Sequence, residues 1–439
     1  DGIGERLEAI EHHPAYAVCG RAIYESGRVI AAYGDAQPNL TAQIAFYLTG
    51  QAGEAGHNCP VACTAGAVKV VDRVASAALR KKYLPGLLSP DYATRLSGAQ
   101  FLTEVQGGSD VGANAVRAEP DGEAFGTTRW RIYGEKWFCS NADADVILMT
   151  ARFAGGPSGT RGLGLFLVPR ITENGAVNGY RMRRLKDKIG TRSMASAEID
   201  FDGAVAYAMG PVEAGFSAMM NHVIATSRLY NTVGCAAMTR RALSVARGYA
   251  EHRRAFGQPI LRYPLVAEMI ADLRATSGAI AAGALYLATC FDQVESGAAS
   301  DVTSAFTRVG ANLLKLRSCQ HSHRAILTGI ETLGGNGAIE SFSPLPRLLR
   351  DNVVYENWED DNPLGVRACK HVIPDWSFAG HGACQMGLWL NVGVWVISLL
   401  WVPAVYNKLY RGVIKFLAGD EAPDAASKKP AKPRTKKAD

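Results

Sequence analysis

Apolar residues recur at three- and four-residue intervals in the first 95 residues, over 16–33, 42–48 and 65–79, which predicts helices. Pro38 and Pro60 interrupt this region, and residues 87–90 close it. From about 98 to 205 the pattern changes to short alternating runs. Residues 130–133, 146–150, 163–168 and 197–201 read as strands, separated by turns such as Gly155-Gly156-Pro157 and Asn174-Gly175. The helical period returns from about 211 to 355 in three long stretches, roughly 214–252, 261–296 and 300–333. Gly257 and Pro259 break the first join, and Ser296-Gly297 the second. The expectation is an α+β chain. An N-terminal helical domain spans 1–95, a compact β domain 96–210 and a helical bundle 211–359.

Residues 360–439 do not fit this plan. Residues 376–407 contain no Lys, Arg, Asp or Glu, and 387–406 has the length of a membrane-crossing helix, about 20 residues. Three Trp and a terminal Tyr suit a bilayer interface, and a buried core helix is the competing reading. Residues 408–439 hold nine Lys/Arg against four Asp/Glu, so five of the chain's six net positive charges lie in that tail, which reads as disordered. The remainder is nearly neutral and gives no electrostatic reason to expect nucleic-acid binding. Nine cysteines without regular spacing indicate free thiols in a reducing compartment, hence a cytoplasmic protein with a membrane association through 387–406. Basic residues directly after a single span would leave the tail in the cytoplasm and the body outside, a conflict that a hairpin, an in-plane helix or a non-native end resolves. Cys59 and Cys63 have no partners to complete a zinc set, and His321 and His323 are two apart, so no metal site is expected.

Two clusters carry candidate chemistry. In Thr103-Glu104-Val105-Gln106-Gly107-Gly108-Ser109-Asp110, two glycines let backbone approach a flat ligand and two hydroxyls flank them. In Lys136-Trp137-Phe138-Cys139-Ser140, an aromatic face is followed three residues on by a hydroxyl. Together they resemble the flavin-binding signature of the acyl-CoA dehydrogenase family, in its alkylation-response (AidB-like) branch. The resemblance continues through Arg184-Leu185-Lys186-Asp187-Lys188-Ile189-Gly190-Thr191-Arg192-Ser193 and Arg253-Arg254-Ala255-Phe256-Gly257-Gln258-Pro259-Ile260. It runs on through Glu331-Thr332-Leu333-Gly334-Gly335-Asn336-Gly337, Leu345-Pro346-Arg347-Leu348-Leu349-Arg350-Asp351 and Trp358-Glu359, and covers about residues 1–360.

The resemblance implies an acyl-CoA dehydrogenase-like fold with a middle β-barrel, an N-terminal region truncated at Asp1, and FAD as cofactor. Thr103 and Ser109 would contact the isoalloxazine or its phosphates, and Trp137 and Ser140 would cover the ring near N5. Arg253 and Phe256, with Gly334, Gly335 and Gly337, would support FAD held mainly by a neighbouring subunit, which implies a homodimer or homotetramer. Glu359 would abstract the α-proton of an acyl-CoA while the β-hydride passes to flavin N5. Burial in a dry pocket would raise its pKa towards working pH. Ser227 occupies the family's second base position and cannot serve. Electrons would leave to an electron-transfer flavoprotein or to oxygen. Asp360-Asp361-Asn362-Pro363 departs from the family's loop after the base, Ala338 stands where an aromatic is common, and the sequence from Asp360 reads as a foreign join. Two alternatives therefore stand beside the dehydrogenase: an AidB-like flavoprotein with little turnover that binds nucleic acid in a damage response, and a membrane-tethered interaction protein.

Overall fold

The structure is a computed structural model that describes residues 9–52 and 55–358. Four helices come first: α1 (Pro14–Tyr24), α2 (Pro38–Gly50), α3 (Ala55–Arg73) and α4 (Ala77–Leu87). Pro38 stands at the expected break and begins α2, because a first-turn proline loses no helical hydrogen bond, whereas Pro60 does not break the chain but lies inside α3. Ser76 caps α4 by accepting from the Leu79 amide. The helix expected over 16–33 ends at Tyr24, just before Gly27 takes a positive φ of 68°.

Seven strands follow: β1 (Gly98–Phe101), β2 (Arg117–Ala124), β3 (Thr127–Ser140), β4 (Val146–Phe153), β5 (Leu163–Pro169), β6 (Tyr180–Leu185) and β7 (Ser196–Ala208). The order β4-β2-β3-β7-β5 closes on itself because β5 also pairs with β4, so the sheet is a barrel. β1 and β6 attach outside this circuit, to β4 and β7. The alternating runs located β3, β4, β5 and β7 but not β1, β2 or β6. β1 has only four residues, while β2 and β6 each bury a single side chain and so lack the apolar alternation of a half-buried strand.

A short helix, α5 (Gly215–Ala218), runs through a π-helical turn at Met219–Ile224 into α6 (Ala225–His252). A two-stranded hairpin, β8 (Arg254–Ala255) and β9 (Gln258–Pro259), leads to α7 (Pro264–Glu295), α8 (Asp301–Thr332) and α9 (Leu345–Asn357). α6 is buried almost all round from Thr226 to Thr239, as the central member of the bundle must be. The hydrophobic core continues from α3 through α6 and α7 to the outer faces of β4 and β5, while a second core fills the barrel. Segment 184–192 is pinned to α9: a Cβ on Gly190 would collide with the Arg350 carbonyl, and the Thr191 amide donates to Asp351 Oδ1 at 2.6 Å. The membrane-length stretch at 387–406 and the basic tail lie outside the described residues. Among the described residues no helix is long and apolar enough to cross a membrane.

Candidate functional site

A cavity of about 2110 Å³ lies between the barrel and the helices. Single ligand sites occupy roughly 300–1,000 Å³, so this volume has room for two sizeable ligands side by side. Thr103, Ser109, Trp137 and Ser140 all line it.

Their convergence has a local cause. Residues 137 and 140 would face opposite sides of a regular strand. A register shift between Lys136 and Cys139 in the β3–β7 pairing resets the alternation. Trp137 and Ser140 therefore both reach the cavity, while Cys139 between them is buried in the barrel core. The two clusters are joined through backbone as well, the Trp137 amide donating to the Thr103 carbonyl at 2.9 Å. Gly107 stands at a φ of 140°, which a side chain would strain.

Beneath this surface lies a charge pair that the sequence reading passed over. Lys136 Nζ is 2.8 Å from Glu104 Oε1, with both side chains almost wholly removed from solvent. Lys136 also donates to the Leu102 carbonyl, and the Glu104 carboxylate accepts from the amides of Ala115 and Val116. Burial pulls Lys136 below the usual ammonium range, and the Glu104 carboxylate opposes that fall. The pair fixes the 103–110 loop on β3, so the Glu and Lys of the two motifs act as a brace. Arg152 adds to it, donating to the carbonyls of Gly112, Asn114 and Gly159 and so holding two neighbouring loops together.

The 184–188 segment brings three further cations, Arg184, Lys186 and Lys188, to the same wall. Lys186 Nζ sits 3.5 Å from the centre of the Trp137 ring and 2.9 Å from Glu198 Oε1, with Arg184 on the other carboxylate oxygen. Lys188 donates to the Ser196 hydroxyl. Their alternation in Lys186-Asp187-Lys188 was visible in the sequence; the partners were not.

The opposite walls are helical. α3 offers Cys59, Ala62 and Cys63; α6 offers Ser227, Arg228 and Asn231; α7 and α8 add Phe291, Val294 and Ala311. Ser227 accepts from Gln100 at 3.4 Å. The π-helical turn places Met220, Asn221 and His222 on the cavity, and no motif announced it. Trp358 lines the far side, with the buried Lys315 ammonium donating to its carbonyl. Glu359, the expected base, lies outside the described residues. Glu356, the neighbouring acid, is engaged by His323 at 2.9 Å and by Asn352.

The second group of expected residues stands apart from the cavity. Arg253, Phe256, Gly334, Gly335 and Gly337 do not line it. Phe256 is 97% exposed at the tip of the β8–β9 hairpin, with a positive φ of 48°. Tyr249, one helical turn before Arg253, accepts from Asn336, which ties the hairpin's base to the glycine turn after α8. Among the described residues no group of three or more His, Cys, Asp or Glu could hold a metal ion.

Residues 1–94 match the adaptive response protein AidB N-terminal domain, 99–204 the acyl-CoA dehydrogenase middle domain, and 213–359 the acyl-CoA dehydrogenase C-terminal domain. The chain is 31% identical over 376 residues to AidB of Escherichia coli strain K12, covering 82% of this chain and 65% of that protein. It superposes on the apo form of Bd2924 with a TM-score of 0.77 and 32% identity, over 82% of this chain and 72% of that one. For Caenorhabditis elegans ACDH-11, solved in complex with C11-CoA, the TM-score is 0.74 at 30% identity, over 82% of this chain and 61% of that one. The chain thus spans less than two thirds of the length of the bacterial AidB and of the worm protein.

Proposed function

The chain belongs to the acyl-CoA dehydrogenase family, and from that premise we propose that it is an FAD-dependent oxidoreductase acting on acyl-CoA thioesters. The observation that carries the reading is the meeting of Thr103, Ser109, Trp137 and Ser140 on one wall of a cavity large enough for a cofactor and a substrate together. The donor set fits a flavin. Hydroxyls and loop amides suit carbonyl and phosphate oxygens, Trp137 offers a ring face, and Ser140 a hydroxyl beside it. FAD, when bound, would supply the hydride acceptor for the substrate's β-carbon. The worm relative's complex with C11-CoA supports an acyl-CoA as the second occupant.

The chain's own task is to remove the α-proton. Among the described residues, each carboxylate that lines the cavity already has a cation partner. Glu198 is held by Lys186 and Arg184, Glu295 by Lys69 and Arg73, and Asp187 by Arg192. Ser227 has no basic group. Elimination therefore favours Glu359, which directly follows the cavity-lining Trp358. The exposed Arg253–Phe256 hairpin and the Gly334 turn serve FAD in a second copy, making the working form a homodimer or homotetramer. Their separation from this chain's own cavity supports that assignment.

The test is a visible spectrum of the purified chain before and after anaerobic addition of acyl-CoAs of different lengths. A flavin band should be present and bleach with at least one thioester, and Glu359→Gln should keep the band but lose the bleaching. A flavin that no acyl-CoA reduces, or one reduced equally well in the Gln variant, would sink the proposal.

A further inference from the structure

Behind Ser140 the polar groups form a chain with a direction. Lys188 Nζ donates to the Met194 carbonyl at 2.7 Å and to Ser196 Oγ at 2.9 Å, and Ser196 Oγ lies 3.0 Å from Ser140 Oγ. Ser196 is 2% exposed in the cavity wall, and the hydrogen-bond neighbours of its hydroxyl are Lys188 Nζ and Ser140 Oγ. An ammonium cannot accept, which leaves Ser140 Oγ as the hydrogen-bonded neighbour able to take that proton. Ser140 then accepts from Ser196 and keeps its own proton for the cavity that it lines. We propose that Lys188 and Ser196 are positioning residues that set Ser140 as a one-way hydrogen-bond donor toward the flavin. The inference rests on the flavin reading above and adds to it two residues of the cavity wall, Lys188 and Ser196, that act through Ser140.

The device has a built-in limit. Burial brings the Lys188 ammonium down to about 8, against the opposing influence of Cys59 from α3 and Asp351 from α9. Lys186, Asp187 and Arg192 are the charged groups beside it on its own segment. Once Lys188 loses its proton its amine can accept from Ser196, the chain can run backwards, and Ser140 is no longer held as a donor. The flavin's reduction potential should therefore show a break near pH 8 that a fixed Ser140 donor would not give.

The experiment reconstitutes the full chain with FAD as wild type, Ser140→Ala, Ser196→Ala, Ser196→Thr, Lys188→Met and Lys188→Arg. It measures FAD affinity and the midpoint potential against a reference dye from pH 6 to 9.5. Ser196→Ala and Lys188→Met should shift the ratio of reduced to oxidised flavin at fixed potential by about tenfold towards oxidised. Ser196→Thr should restore it, since the hydroxyl returns. Lys188→Arg should keep the donor while removing the break near pH 8. Ser196→Ala placed on Ser140→Ala should add nothing further. A Ser196→Ala protein that binds flavin with wild-type potential and pH profile overturns the inference alone. A wild-type chain that takes up no flavin overturns the flavin reading, and this inference with it.

Discussion

The two groups of residues proposed to hold the cofactor are built in opposite ways. The cavity group stands on barrel strands and on a loop braced by the buried Lys136–Glu104 pair, so its geometry is set before any ligand arrives. The second group stands on a two-residue-strand hairpin with Phe256 wholly in solvent, and on a glycine turn. A site held by its own core belongs to the subunit that carries it. A site presented outward on a short hairpin suits completion by another copy.

Cutting the brace is the most severe way to break this contrast. Glu104→Gln leaves the Lys136 ammonium buried with only carbonyl and amide oxygens around it. Removing one member of a buried pair typically costs roughly 3–5 kcal/mol. Urea unfolding should show a loss of that order, and flavin should be lost with the loop. If Glu104→Gln unfolds at the wild-type midpoint, the brace is not what holds the cavity group.

Arg253→Ala probes the other side. Arg253 is exposed, so unfolding of the chain should change by no more than about 0.5 kcal/mol. FAD affinity of the assembled protein should nevertheless fall by about 10- to 100-fold, the worth of charge-assisted hydrogen bonds to a phosphate. Isothermal titration with FAD, beside a sizing measurement, separates the two effects. A destabilised chain with unchanged FAD affinity would reverse the comparison.

The same contrast explains what could be read from residues alone. The helices at 225–252, 264–295 and 301–332 came close to their expected spans, because each is long and bounded by Gly, Pro or Ser signals. β2 and β6 were invisible, because strands that bury one residue carry no alternating pattern. Thr103, Ser109, Trp137 and Ser140 were found through motif resemblance, and all four meet in the cavity. Their supports were not found. The bulge at Lys136–Cys139, the π-helical turn at Met219–Ile224 and the Lys188–Ser196 contact depend on how distant segments pair, and pairing leaves no local period. The membrane-length segment and Glu359, the expected base, lie outside the described residues.

Smaller changes sharpen the cavity side of the comparison. Lys186→Met removes the cation over Trp137 and leaves Glu198 with Arg184 as its ion partner. A loss of roughly 1–2 kcal/mol in urea unfolding is expected, with a shift in tryptophan emission from the changed ring environment. The smallest effect concerns pH. Burial, and then the Arg73 and Lys69 cations, hold the His222 imidazole below its ordinary value, against Glu295. The unfolded chain therefore binds more protons than the folded one between the folded value and about 6.5, and stability rises with pH through that window. Above it His222 imposes no penalty; as pH falls below it the full penalty is present. His222→Gln should flatten this part of the stability curve between pH 7 and 5, whereas Arg253→Ala, which removes a group charged throughout that range, should leave its slope intact. Equal slopes for wild type and His222→Gln would mean that the π-helical turn does not shield its histidine, and that the cavity wall there is as open to solvent as the hairpin.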